Sequence, residues 1–194
     1  MITSEQIKQL RESTGVSVMQ CKKALEEAGG DMDKAVVILK KKGAEASAKK
    51  GDRTLNATQI AAYVHSTGTV GVMVEMGCET DFVARNPEFK QLAYDIAMHI
   101  AAAKPEFVKR EDITAEARAT AESVFAAEVE GKPAEMKAKI LEGKLSAYFS
   151  ERVLLEQPFI KNPDLTIAGL LSEAVQKFGE KTEIVRFARF DSTK

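Results

Sequence analysis

The residue types able to make and break bonds are few in this chain, and their spacing does not gather them. Two imidazoles are present, His65 and His99, and neither stands in a His-Glu-x-x-His or other metal-ligand spacing. His99 falls beside the apolar face of a helical pattern, where a histidine satisfied by a hydrogen bond is structural. A phosphate-cradling loop needs Gly-x-x-x-x-Gly-Lys-Ser/Thr. Gly179-Glu180-Lys181-Thr182 lacks the glycine before its lysine, and Gly143-Lys144 is followed by Leu145. No Gly-x-Gly-x-x-Gly opens a helix after a strand, and Gly-x-Ser-x-Gly is absent. Cys21 and Cys78 are too few and too far apart for a disulfide framework, and suit small buried hydrophobes in a reducing compartment. Neither a catalytic constellation nor a cofactor or metal site is expected.

One segment stands apart from this negative. Cys78-Glu79-Thr80-Asp81-Phe82-Val83-Ala84-Arg85-Asn86 links a strand pattern to a helix start, a junction where loops present functional side chains. Two accounts of it are open. Asp81 is a turn residue and Phe82 a core aromatic, or both are held out for a partner.

The elements that must position this segment are legible in outline. Thr3 and Gln6 suit a capping box, with Ile7 and Leu10 on one face and Gly15 as the stop. Ser17 and Gln20 repeat the pattern, opening a helix with Cys21, Ala24, Leu25 and Ala28 inward. Asp31 caps a third helix that turns Ala35, Val36 and Leu39 inward, with Lys40, Lys41 and Lys42 in its last turn and Gly43 ending it. Residues 1–43 thus read as a three-helix module. Residues 44–58 read as a linker, able to continue a helix at its start, and residues 59–194 as the core domain.

In the core the period changes to two. Ile60, Ala62 and Val64 alternate, and so do Val70, Val72, Val74 and Met76 beyond Ser66-Thr67-Gly68, a hairpin signature. Asn86-Pro87 starts a helix with Phe89, Leu92, Ala93, Ile96 and Ile100 inward, closed by Lys104-Pro105. Further helices are expected at 115–130, 134–142, 145–155 and 166–178, the last stopped by Gly179, with a loop between Pro158 and Pro163. Residues 182–191 should add a third strand, although Arg186 and Arg189 obscure its buried face. The fold class is α+β.

Bulk composition excludes several classes. With 44% apolar and 29% charged residues and a net charge of −1, the 194-residue chain suits a globular protein without a general bias toward nucleic acid or anionic membrane. No run reaches the roughly 18 apolar residues of a membrane span, and Met1–Gln6 is unlike a signal or transit peptide, so a cytoplasmic location is expected. Lys22, Lys23, Lys40, Lys41, Lys42, Lys49 and Lys50 leave open a nucleic-acid-binding protein. The account of a solvated basic face is preferred. A ubiquitin-like-binding adaptor is suggested by the head module alone.

An ordered set of motifs adds to this reading. Thr80-Asp81-Phe82-Val83, flanked by Glu75–Glu79 and Ala84–Asn86, resembles the signature loop of the elongation factor Ts family. Leu10–Gly15 followed by Met19–Leu25 resembles its N-terminal signature. Ala97–Ala101, Lys104–Phe107 and Leu155–Phe159 extend the match along nearly the whole chain. The resemblance implies a head like ubiquitin-associated domains and a core with a three-stranded antiparallel sheet and flanking helices. It implies guanine-nucleotide exchange on elongation factor Tu, with Asp81 and Phe82 inserted near the Mg²⁺ site of that GTPase and Thr80 and Val83 holding the loop. Arg11, Val18 and Met19 match positions that touch the GTPase, although the family more often has Gly and Met where this chain has Ser17 and Val18. Long members carry two related core subdomains and this chain has room for one, so a homodimer is expected. His65 matches a residue acting near the phosphate side in the second subdomain of long members; its other account is a cap on a hairpin strand.

Overall fold

Capping chemistry sets the first helices. The computed structural model describes residues 2–129 and 133–193. Thr3 Oγ1 accepts the Gln6 N–H at 3.2 Å, and the Gln6 side chain accepts the Thr3 N–H at 2.9 Å, closing the box that opens α1 (Ser4–Thr14). Ser17 caps α2 (Val18–Glu27) and Asp31 caps α3 (Met32–Lys49) through the Gln20 and Lys34 amides. Leu10, Val16, Cys21, Ala24, Leu25, Ala35 and Leu39 close into a small core of their own.

Strands β1 (Ala57–Val64) and β2 (Val70–Cys78) form the expected hairpin, its turn closed by His65 N–H to Val70 O at 2.8 Å and by Gly68 at φ 71°. Two helices follow, α4 (Asp81–Arg85) and α5 (Pro87–Ala103), the second opened by Asn86 and closed by Lys104 in a left-handed conformation. Next come α6 (Ala115–Glu128) and α7 (Ala134–Ser150), a short hairpin of β3 (Pro158–Phe159) and β4 (Asn162–Thr166), α8 (Ile167–Phe178) and β5 (Thr182–Asp191). The sheet order is β1-β2-β5, antiparallel throughout, as expected. Val72, Val74, Met76 and Cys78 of β2 bury one face of it in a single cluster with Phe89, Ala93, Ile96 and Ile100 of α5. Each large side chain so buried contributes about 1.5–3 kcal/mol.

Four expectations are corrected. Gly43 does not end α3, which runs on to Lys49; Gly43 is buried where α3 crosses α8, and a Cβ there would meet Ser172 O at 3.2 Å. The helices expected at 134–142 and 145–155 are one, α7, followed by a 3₁₀ turn at Leu154–Glu156. Gly143 sits inside α7 facing open space, while Leu145 and Phe149 are buried against Ala121 of α6 and carry the helix through. The segment between Pro158 and Pro163 is the β3–β4 hairpin rather than a loop. Thr80–Val83, expected as a loop, is the cap and first turn of α4.

A bulge opposite Glu75/Met76 resolves the arginines of β5. It lets Ile184 face the core, sends Arg186 outward to pair with Glu75 at 2.7 Å, and returns Arg189 to the α5 side, where it donates to Ala101 O at 3.2 Å.

Candidate functional site

Helical rotation decides what the junction after β2 shows to solvent. Thr80 caps α4, its Oγ1 accepting the Val83 N–H at 3.5 Å. Val83 and Ala84 turn inward and are buried, so Phe82, about 100° away around the axis, points out and is 83% exposed. A lone exposed leucine needs no explanation, but a phenylalanine fixed in water by a short capped helix does. Phe82 and Asp81 rim a shallow groove with Arg85, Asn86 and Pro87. Asp81 pairs with Arg85 at 3.4 Å with both side chains well exposed, a contact weak enough for either to exchange for another partner.

What braces this tip is not visible in its own sequence. Glu180 Oε2 accepts the N–H groups of Glu79 and Thr80 at 3.1 and 2.9 Å, and Glu180 Oε1 accepts the Thr80 hydroxyl at 2.6 Å. Glu79 reciprocates: its carboxylate accepts the Lys181 N–H at 2.6 Å, and Arg53 Nη1 donates between its two oxygens at 3.1 and 3.2 Å. The Lys181 amide, opposed by desolvation and helped by Arg53, holds the Glu79 carboxyl below its usual range. Beneath the corner, Cys78 Sγ donates to Thr80 O at 3.3 Å and Ala57 O at 3.7 Å. Burial, then the Glu180 charge, pushes that thiol up, so it stays protonated.

Three more residues singled out by sequence lie in the head. Val18 and Met19 form the exposed first turn of α2, 51% and 64% accessible, while Cys21, Ala24 and Leu25 of the same helix are buried. Arg11 is exposed on α1. The head abuts the tip's side of the core: Lys177 of α8 passes close to Gly15 and pairs with Glu88 of the first α5 turn at 2.6 Å.

His65 is not part of the tip. It lies at the turn end of the β1–β2 hairpin, exposed, with Nδ1 3.0 Å from the Tyr63 hydroxyl. The length of β2 separates it from Cys78, roughly 25 Å at strand rise. His99 is fully buried, with Nε2 3.0 Å from Gln157 Oε1 and Nδ1 accepting the Ile160 N–H at 3.3 Å. Burial pulls its pKa down, and both nitrogens are spent on structure. Among the described residues no group of three or more His, Cys, Asp or Glu side chains could hold a metal ion.

A braced, exposed aromatic on the core and an exposed apolar turn on the head are surfaces of the kind by which a protein binds a second macromolecule. The chain belongs to the elongation factor Ts family, whose model, described as elongation factor TS, matches residues 32–194. It is 53% identical over 193 residues to elongation factor Ts of Carboxydothermus hydrogenoformans, covering 98% of this chain and 89% of that protein. It is 48% identical over 190 residues to elongation factor Ts of Thermotoga petrophila, covering 98% and 96% respectively. It is therefore a guanine-nucleotide exchange factor for elongation factor Tu in translation elongation, and acts without a catalytic constellation of its own. Among the described residues no helix is long and apolar enough to cross a membrane.

Proposed function

We propose that Asp81 and Phe82 are the residues that loosen GDP, inserted together near the Mg²⁺ site of elongation factor Tu, with Thr80 and Val83 holding their turn. The observation that carries this is Phe82, an exposed ring on a short helix whose next two residues are buried. A GTPase holds GDP through loop amides and a Mg²⁺ ion that offsets the phosphate charge. A factor that binds the empty GTPase more tightly than the loaded one must weaken nucleotide binding by the same factor. An aromatic wedge displaces the packing around the metal, and the Asp81 carboxylate, whose pairing with Arg85 is exposed and weak, can re-pair there.

The head serves as the second grip, a ubiquitin-associated-like three-helix module that docks through Arg11, Val18 and Met19 and is joined to the core through residues 44–58. The partner-binding unit is a homodimer. In β1 the alternating apolar residues face away from α5: Ile60 and Val64, together with Met73 and Phe190, leave apolar surface in water around the Glu75–Arg186 pair on the outer sheet face, Phe190 being 69% exposed. Monomers rarely leave such a patch uncovered, and a second copy covers it without a new partner. His65, far from Phe82 in its own subunit, would then act from the other. The location is cytoplasmic, and neither nucleic acid nor membrane is a partner.

Release of a fluorescent GDP from elongation factor Tu tests the wedge. The native chain accelerates release, and Phe82→Ala loses on the order of 10- to 100-fold of that acceleration while remaining folded. Equal acceleration by the two proteins would remove Phe82 from the mechanism.

A further inference from the structure

We infer that Glu180 is a positioning residue for nucleotide exchange, holding the Asp81–Phe82 tip in the direction from which it enters the GTPase. The inference rests on the tip reading above and adds to it the residue that aims the tip. Glu180 lies 100 residues from Thr80, yet its two oxygens take every donor offered by the corner just before the tip: the Glu79 and Thr80 amides and the Thr80 hydroxyl. Those two amides lie past the last ladder pair of β2 and before the first turn of α4, so neither element supplies them an acceptor.

The clasp is built from both sides. Gly179, left-handed at φ 73°, ends α8 and turns the chain so that Glu180 meets the β2–α4 corner. In the opposite direction the Glu79 carboxylate receives the Lys181 N–H, so each strand end gives one carboxylate and takes the other's amide. Lys181 Nζ extends the clasp to Gly51 O at 2.6 Å and Arg53 O at 3.0 Å, and Lys50 Nζ donates to Gly179 O. The end of α3 is thereby fixed to the same point. The tip thus keeps a set orientation relative to the head that docks beside it.

An apolar tip on a loose corner would have to be ordered at the moment of insertion, a cost that preorganisation removes. Glu180 touches neither nucleotide nor metal in this arrangement. Its effect runs through Thr80 to Phe82, and small errors of placement at a reacting site are known to be expensive.

The test measures GDP release from elongation factor Tu against factor concentration for the native chain, Glu180→Ala, Glu180→Gln, Phe82→Ala and the double variant Glu180→Ala/Phe82→Ala. Glu180→Ala is expected to lower the maximal rate about tenfold and to leave the half-saturating concentration within about twofold, because the head still docks. Glu180→Gln retains one carbonyl acceptor for the amides and recovers part of the rate. In the Phe82→Ala background, Glu180→Ala has no further effect, since there is no ring left to aim. A slow Phe82→Ala beside a Glu180→Ala of native speed overturns the positioning role alone. An undiminished Glu180→Ala effect in the Phe82→Ala background overturns it as well, showing general destabilisation. A Phe82→Ala of native speed rejects the tip reading itself, and with it the inference. Should Glu180→Ala not fold, Glu180→Gln carries the same comparison.

Discussion

Phe82 and Val83 are adjacent apolar residues with opposite surroundings, one in water and the other in the core. Neither composition nor hydrophobicity separates them; the phase of a helix begun at Thr80 does. His99 shows the reverse, a polar residue fully enclosed. Its Nδ1 accepts a backbone N–H, so the folded protein binds the neutral ring, and burial places its pKa below the ordinary 6.5. The unfolded chain then takes up a proton first as the solution is acidified. Stability from this site is complete above 6.5 and is lost as pH falls from there toward the folded-state value. Urea midpoints measured at about pH 7.5 and about pH 5.5 should fall toward acid in the native chain, and less so in His99→Asn. His99→Asn should also be less stable at the higher pH by about 1–3 kcal/mol, because Gln157 and the Ile160 amide lose their partner. An equal pH response in both proteins would show that other groups carry it.

At the scale of elements, local signals are legible in the sequence and crossings are not. Thr3, Ser17, Asp31, Asn86 and Thr166 each cap the helix their sequence announces, since a cap needs only neighbours within three residues. The β1–β2 hairpin and the third strand were legible from period and residue type. Gly43 after three lysines looked like a stop, but its glycine answers to α8, more than a hundred residues later. Val there would press on the Ser172 carbonyl and on Gln176, and should cost about 1–3 kcal/mol in chemical denaturation. A neutral or stabilising Gly43→Val would mean the two helices part freely. Of the candidate site, Thr80–Val83 was legible as a motif. Its bracing by Glu180 was not, because a carboxylate between a helix stop and a strand carries no mark of a distant partner.

At the scale of the whole molecule, the Phe82 tip and the open face of the sheet are exposed apolar surfaces on the same core. The alternation of Ile60, Ala62 and Val64 marks that open face, whereas β2 turns its own alternating residues to α5. A charge at its edge should separate a dimer without disturbing the core: Phe190→Asp should sediment as a monomer where the native chain sediments as a dimer. A native chain that is monomeric would remove the second copy. In the proposed mechanism the tip works on the partner's metal. The most direct measurement compares GDP release driven by the native chain and by Phe82→Ala, first with saturating Mg²⁺ and then with the metal chelated. The native chain should exceed Phe82→Ala by at least about tenfold with Mg²⁺ present, and this advantage should close toward unity once the metal is gone. An advantage that persists undiminished without Mg²⁺ would contradict it.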